Sequence, residues 1–366
     1  MPIGELSMTG RTDAGATAGG TRPLRAVAAA VRFGVWWRHL VPPIVGAIYF
    51  GAASARPAGR ALVVDLALFL ASVVGIAAFG YLLNDVADVA SDARAGKPNR
   101  AAPWSRSGRA LRVALWLGVG LAPWLALPRR PVALALLGAE VLLLAAYSLP
   151  PLRLKERGVA GTFADALYGH LLPVAIALAT FLPADGAPAI PTAWALAATL
   201  AVALLAKGLR NILLHQIGDR ARDRLAGSRT LVVAIGPVAA LAWINRILLP
   251  TEVAALALLL GLLAPFAPLW IAGALFLLST ATEFSAWKFP FIPKRQLRLK
   301  FLWCLNDFWE LWLPAALVVT LVARATSLWP LALAHLVLFP DLPVRLARHA
   351  ATAAASVRDL VRHGVQ

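Results

Sequence analysis

The stretch Asn84-Asp85-Val86-Ala87-Asp88-Val89-Ala90-Ser91-Asp92 stands where an apolar run, residues 61 to 83, gives way to a basic segment. If the helix of that run continues, Asn84, Asp88 and Asp92 recur at i, i+4 and i+8 on one face, with Asp85 beside them. Like charges at that spacing repel, so the face calls for a cation or a basic partner. Its donors are oxygens, which makes magnesium the natural candidate. Residues 215 to 223 repeat the arrangement with Gln216, Asp219 and Asp223. Two carboxylate-bearing helix ends can hold Mg2+ while a substrate's phosphates complete the shell, which is chemistry for a diphosphate.

Outward from these clusters the chain is apolar. Of 366 residues 60% are hydrophobic and 14% charged, with a mean hydropathy of +0.73, unlike a soluble domain. Apolar runs of about 20 residues predict an all-α membrane protein with one integral domain. Spans are expected at 33–53, 61–83, 110–128, 131–149, 159–182, 190–214, 229–249, 252–280 and 308–323, with a shorter tenth candidate at 326–340. Pro42, Pro43, Pro123, Pro173, Pro265, Pro268 and Pro314 predict kinks within them. Residues 1–24 read as a disordered cytoplasmic start, 25–340 as the transmembrane domain and 341–366 as a basic tail.

The net charge of +17 is spread over short loops, with no aromatic-interleaved basic domain, which argues against a nucleic-acid partner. Alternate loops hold 19 and 6 Lys and Arg residues, so both acidic clusters are expected on the cytoplasmic face of the bilayer. The Ala, Arg and Pro bias suggests a bacterial cytoplasmic membrane. A single cysteine, Cys304, excludes an internal disulfide and a thiolate metal site.

Other polar residues have ordinary readings beside functional ones. Arg106 and Arg109 read as topology markers. Glu140, inside a span, is expected to face a cavity or to be protonated, either in acceptor recognition or as an interhelical hydrogen-bond partner. His170 reads as such a partner too, and His215 as helix-end packing beside Asp219. In Asn306-Asp307-Phe308-Trp309-Glu310 the pattern is that of a helix start. The 13 tryptophans, among them Trp36 and Trp37, read as an interfacial belt.

Three ordered motifs make the chain resemble the UbiA family of intramembrane prenyltransferases. Asn84, Asp85, Asp88 and Asp92 fit the family's Asn-Asp-x-x-Asp-x-x-x-Asp in full, and Asp219, Asp223, Gly227, Thr230 and Leu231 fit its second aspartate motif. Between them, Tyr147-Ser148-Leu149-Pro150-Pro151-Leu152-Arg153-Leu154-Lys155 looks like its Tyr-x-x-Pro segment ending in Leu-Lys. The resemblance implies nine helices ringed around a central cavity, and Mg2+-dependent transfer of an isoprenyl group from its diphosphate to a hydrophobic acceptor, most often aromatic. It implies Asn84, Asp85, Asp88, Asp92, Asp219 and Asp223 as metal ligands, and Asn84, Lys97, Arg100, Lys155, Arg210 and Arg32 on the diphosphate. Asp85, Asp88, Asp219, Lys155 and Tyr147 are the catalytic candidates. Two departures stand out: Ala101 follows Arg100 where many members have Pro, and Ala93-Arg94-Ala95-Gly96 replaces the His-Pro of phosphoribosyl-transferring members. Phosphoribosyl transfer and terpene cyclisation are the alternatives on the same fold. A transporter or lipid-binding protein is the alternative of another class, and it would place its key charges near the midplane.

Overall fold

The computed structural model describes residues 32–54, 59–94, 96–182, 193–225, 227–263, 267–286 and 305–363. The expected disordered start, Pro265 and Cys304 lie outside them. The described residues are helical throughout, with no strand beyond one isolated bridge between Gly158 and Thr230. The helices are α1 (Phe33–Ser54), α2 (Gly59–Arg94), α3 (Arg106–Leu121), α4 (Pro131–Ser148), α5 (Val159–Phe181), α6 (Ala193–Leu225) and α7 (Leu231–Leu262). They continue as α8 (Ala267–Ala286), α9 (Phe308–Trp312 with Leu313–Arg324), α10 (Trp329–Leu338) and α11 (Leu342–His363).

Five of these are long and apolar enough to cross a membrane: Ala61–Arg94, Pro131–Ser148, Val159–Phe181, Ala195–Leu225 and Leu231–Leu262. A sixth arises if Thr326–Leu338 and Leu342–Ala351, bent by 80°, form one broken span. Among the described residues, helix length and composition therefore mark five or six spans and do not reach the expected nine.

The expected loop at 245–252 is absent, because α7 runs through it. Arg246 lies in a π-turn, Ile244–Leu248, and Pro250 follows two residues later. The same device recurs at Leu167–Leu171 before Pro173 and at Phe308–Trp312 before Pro314. A wide turn frees the carbonyl that proline's ring would strike and whose hydrogen bond proline cannot supply, so the helix bends without ending. Lys207 and Arg210, counted with a cytoplasmic loop, also lie within a helix, buried in α6. Without these three residues the loop ratio is 17 to 5, still strongly biased.

Lipid gives helices no hydrophobic reason to associate, so seams depend on close packing and hydrogen bonds. In the α2–α3 seam a Cβ on Gly75 would stand 2.2 Å from the backbone nitrogen of Gly120. Beside it Ser72 Oγ donates to the Gly120 carbonyl at 2.6 Å and accepts from Trp124 Nε1 at 2.8 Å. Gly75→Ala is expected to destabilise the protein by about 1–3 kcal/mol, because backbone cannot yield to the added carbon. SDS-titrated unfolding in mixed micelles measures this, and an unshifted midpoint would contradict the seam.

Elsewhere α1 packs against α5 and α9, α4 against α5, and α6 against α5 and α7. The region expected as a tail is the helix α11, packed along α8. Trp36, Trp124 and Trp309 are core residues, at most 5% exposed, so the tryptophans are not solely an interfacial belt.

Candidate active site

Helix α2 continues to Arg94, so Asn84, Asp88 and Asp92 do share a face. It stops at Gly96, where φ is +64°: Lys97 N donates to Asp92 O at 2.9 Å and Gly96 N to Ala93 O at 3.3 Å. Helix α6 stops in the same way at Gly227, φ +69°, with Ser228 N on Asp223 O at 2.9 Å and Gly227 N on Arg224 O at 3.2 Å. Glycine adopts this left-handed cap without a Cβ clash, so each aspartate motif closes with its last Asp carbonyl tied.

The loop after α4 brings cations to the first motif. It turns through a cis Pro150–Pro151 bond, a left-handed Arg153 (φ 41°) and a short 3-10 turn, Leu154–Glu156. Lys155 Nζ donates to Asn84 Oδ1 at 2.8 Å and to Asp88 Oδ1 at 2.6 Å, and Arg153 Nη2 donates to Asp88 Oδ1 at 2.9 Å. Burial pulls the Lys155 ammonium below the usual lysine range, against the Asp88 carboxylate that works to raise it. Arg32 Nη2 donates to Asp85 Oδ1 at 2.6 Å, and its guanidinium stands 5.7 Å from the Tyr81 ring. Asp85 Oδ2 is buried without a hydrogen bond. Asn99 Nδ2 bridges Asp92 Oδ2 and the Asp85 carbonyl, each at 2.8 Å. Arg100 is exposed but near enough to act on Asp85.

In the second motif Asp219 pairs with His215 Nε2 at 3.4 Å and with Arg222, and Asp223 accepts from Thr230 Oγ1 at 3.3 Å. His215 thus faces the Asp219 carboxylate across one helical turn. Exposed Lys97, from the end of the first motif, acts on Asp223 in the second. Gln216 ties the frame together, accepting from Val232 N at 3.2 Å and donating to Thr162 Oγ1 at 3.3 Å. Gly158 N adds a bond to Arg229 O at 3.2 Å.

Tyr147 packs edge-on against Tyr168, centroids 5.1 Å apart, within electrostatic reach of Asp88. The Tyr168 hydroxyl donates to Asp165 Oδ2 at 2.6 Å. Arg153, Asn99, Asp165, Tyr168 and Tyr81 were not singled out from sequence. Arg153 lay inside a quoted motif, whereas Asp165 and Tyr168 sit three apart in an apolar run, a spacing that could have marked them as one-faced partners.

Among the described residues, no three His, Cys, Asp or Glu side chains converge to hold an ion unaided. The six proposed metal ligands are thus not drawn into one cage, because each aspartate pairs with a neighbouring donor. Mg2+ needs only one or two carboxylates when substrate phosphates and water complete its shell. An all-oxygen donor set with an orphaned Asp85 Oδ2 fits that demand.

Arg210 is not brought to this group. It lies nine residues before Asp219, about 13.5 Å along α6 at 1.5 Å per residue. Its Nε and Nη2 donate to the two Glu252 oxygens at 2.6 and 2.9 Å, and Nη2 also reaches Asn306 Oδ1 at 2.8 Å. Glu140 is buried on α4, and neither it nor His170 shows a hydrogen bond among the described residues.

The expected cap at 306–310 is absent. Asp307 makes no capping bond; it pairs with Arg345 and with His349 Nε2 at 3.5 Å. Glu310 faces His39 Nδ1 at 2.9 Å and Lys207 Nζ at 3.7 Å. Burial raises the Asp307 carboxyl, but His349 and Arg345 outweigh it and hold the group below the usual carboxylate range. A lowered pKa stabilises the fold fully above the unfolded value and is lost as pH falls through the folded one. Amide-exchange protection in α11, corrected for the intrinsic exchange rate at each pH, is therefore expected to fall only at pH below the ordinary carboxylate range. Asp307→Asn should abolish that dependence; its persistence would refute the assignment.

Comparison with solved structures shows the same fold. A UbiA homolog from Archaeoglobus fulgidus bound to DMAPP and Mg2+ is 18% identical, with a TM-score of 0.51 over 91% of this chain and 99% of that one. The same homolog bound to GPP and Mg2+ gives 17%, 0.50, 91% and 99%. No curated protein matches significantly. The model of the UbiA prenyltransferase family matches residues 40–305, which take in both aspartate motifs and the loop between them. Paired Asp-bearing helix ends, a lysine-bearing loop between them and that match leave one assignment: the chain belongs to the UbiA prenyltransferase family.

Proposed function

We propose that the protein transfers an isoprenyl group from an allylic diphosphate to a hydrophobic acceptor, using Mg2+, at the cytoplasmic face of a bacterial membrane. The reading takes α1 to α9 as nine spans around a cavity. The observation that carries it is the meeting of Lys155 and Arg153 on Asp88, beside Asn84. Cations and carboxylates interleaved at a helix end suit a metal-bound diphosphate and not a free carboxylate or a sugar. The homolog structures bound to DMAPP or GPP with Mg2+ support the donor and the ion.

Asn84, Asp85, Asp88 and Asp92 would hold the metal from α2, and Asp219 and Asp223 from α6. Bound there, Mg2+ would supply positive charge against the charge growing on the departing diphosphate. Lys155, Arg32, Lys97 and Arg100 are placed to add fixed positive charge to the same oxygens. The rings of Tyr147 and Tyr168, packed edge-on, would help to screen the allylic cation from water.

The test is diphosphate release by the purified protein in liposomes, with allylic diphosphates of graded length. Release that requires Mg2+ and stops with chelator is expected. Folded protein that releases none with any donor and any added lipid-extract acceptor would overturn the reading.

A further inference from the structure

We propose that Asp165 accepts the proton of a hydroxyl-bearing acceptor, an alcohol or phenol, and that Tyr168 positions it. The inference rests on the prenyl-transfer reading above.

Three of the chain's four tyrosines, Tyr81, Tyr147 and Tyr168, gather around Asp165, from three different helices. Tyr81 lies three residues before Asn84 on α2, about 4.5 Å further along the helix axis. Tyr147 closes the last turn of α4, just before the loop that delivers Lys155. This group therefore lies inward of the diphosphate cradle, and the proposal places the first carbon of the donor beside it. None of the cradle's hydrogen bonds involves Asp165.

The geometry around Asp165 suits a base. Its Oδ2 accepts from the Tyr168 hydroxyl at 2.6 Å, whereas Oδ1 takes no hydrogen bond among the described residues. The residue is half-buried, so that oxygen is not sealed away. Tyr168 is braced edge-on by Tyr147, which fixes the hydroxyl and with it the carboxylate. An acceptor hydroxyl fits this vacancy because it donates to Oδ1, whereas a carboxylate acceptor would meet like charge.

The balance of the step is simple. The bond from C1 to the diphosphate oxygen breaks and its electron pair leaves with the diphosphate. An oxygen lone pair of the acceptor forms the new C1–O bond. The O–H bond breaks, its electrons stay on oxygen, and the proton passes to Asp165 Oδ1, giving an ether and a neutral carboxylic acid.

The test uses the full-length protein in liposomes with geranyl diphosphate and Mg2+, offering dodecan-1-ol or 4-dodecylphenol. Diphosphate release and geranyl ether are both followed. Wild type is expected to form the ether. Asp165→Asn should lower the share of released geranyl groups that end as ether by about a hundredfold or more, the remainder losing a proton to give a hydrocarbon, since ionisation precedes proton loss. Asp165→Glu should restore part of it, and Tyr168→Phe should fall between. Ether absent with both probes, geranyl found on a ring carbon, or release falling in step with ether in Asp165→Asn would each overturn the inference alone. Wild type that releases no diphosphate would overturn the prenyl-transfer reading, and this inference with it.

Discussion

Asp88→Ala is expected to lower Mg2+-dependent diphosphate release on the order of a thousandfold, the upper range for loss of one preorganised charge contact. Asp88 joins the two halves of the cradle: it shares α2's polar face with Asn84, and one of its oxygens accepts from both Lys155 and Arg153. Without it two cations from the α4–α5 loop lose their anchor, and a proposed metal ligand goes with them. Lys155 keeps Asn84, so the loop should remain folded while the charge pattern fails. Asp92→Ala makes the comparison. Among the described residues its carboxylate is held only by Asn99, so a smaller loss, about tenfold to a hundredfold, is expected. Release per folded protein decides it, and an Asp88→Ala variant as active as wild type would remove the cradle from the mechanism.

The parts legible in the sequence are those governed by local spacing. The i, i+4, i+8 recurrence of Asn84, Asp88 and Asp92 needed only that α2 continue, and Gly227 already marked the end of α6. The second left-handed cap, at Gly96, follows the same Asp-x-x-x-Gly spacing. What local spacing cannot show is which distant chain segment answers a charge. Arg32 meets Asp85 across 53 residues, and Arg153 meets Asp88 across 65. Pro250 and Arg246 looked like a loop because a π-turn leaves no mark in composition. Asp165 looked like one polar residue among many small ones, and only the packing of α2, α4 and α5 gathers three tyrosines around it.

Arg210 shows the same limit from the other side, and it yields the largest expected effect on stability. Sequence order placed it before the second aspartate motif as a diphosphate ligand. In the fold its side chain is 0% exposed, that of Glu252 is 2% exposed, and the two meet through paired hydrogen bonds. Removing one partner leaves the other charged and buried, so Glu252→Ala is expected to cost roughly 3–5 kcal/mol. A buried pair is expensive to desolvate, so replacing both partners by apolar residues of similar volume can be neutral. Arg210→Met with Glu252→Leu should therefore recover much of the stability that Glu252→Ala loses, apart from the Asn306 contact. SDS-titrated unfolding separates the two roles. If Arg210 served the diphosphate instead, Glu252→Ala would leave the unfolding midpoint in place. The double variant would then lose affinity for geranyl diphosphate while staying folded. A strongly lowered midpoint in the single variant, restored in the double with donor affinity intact, would make Arg210 a strut between α6 and α7 that holds Asp219 and Asp223 at the right height.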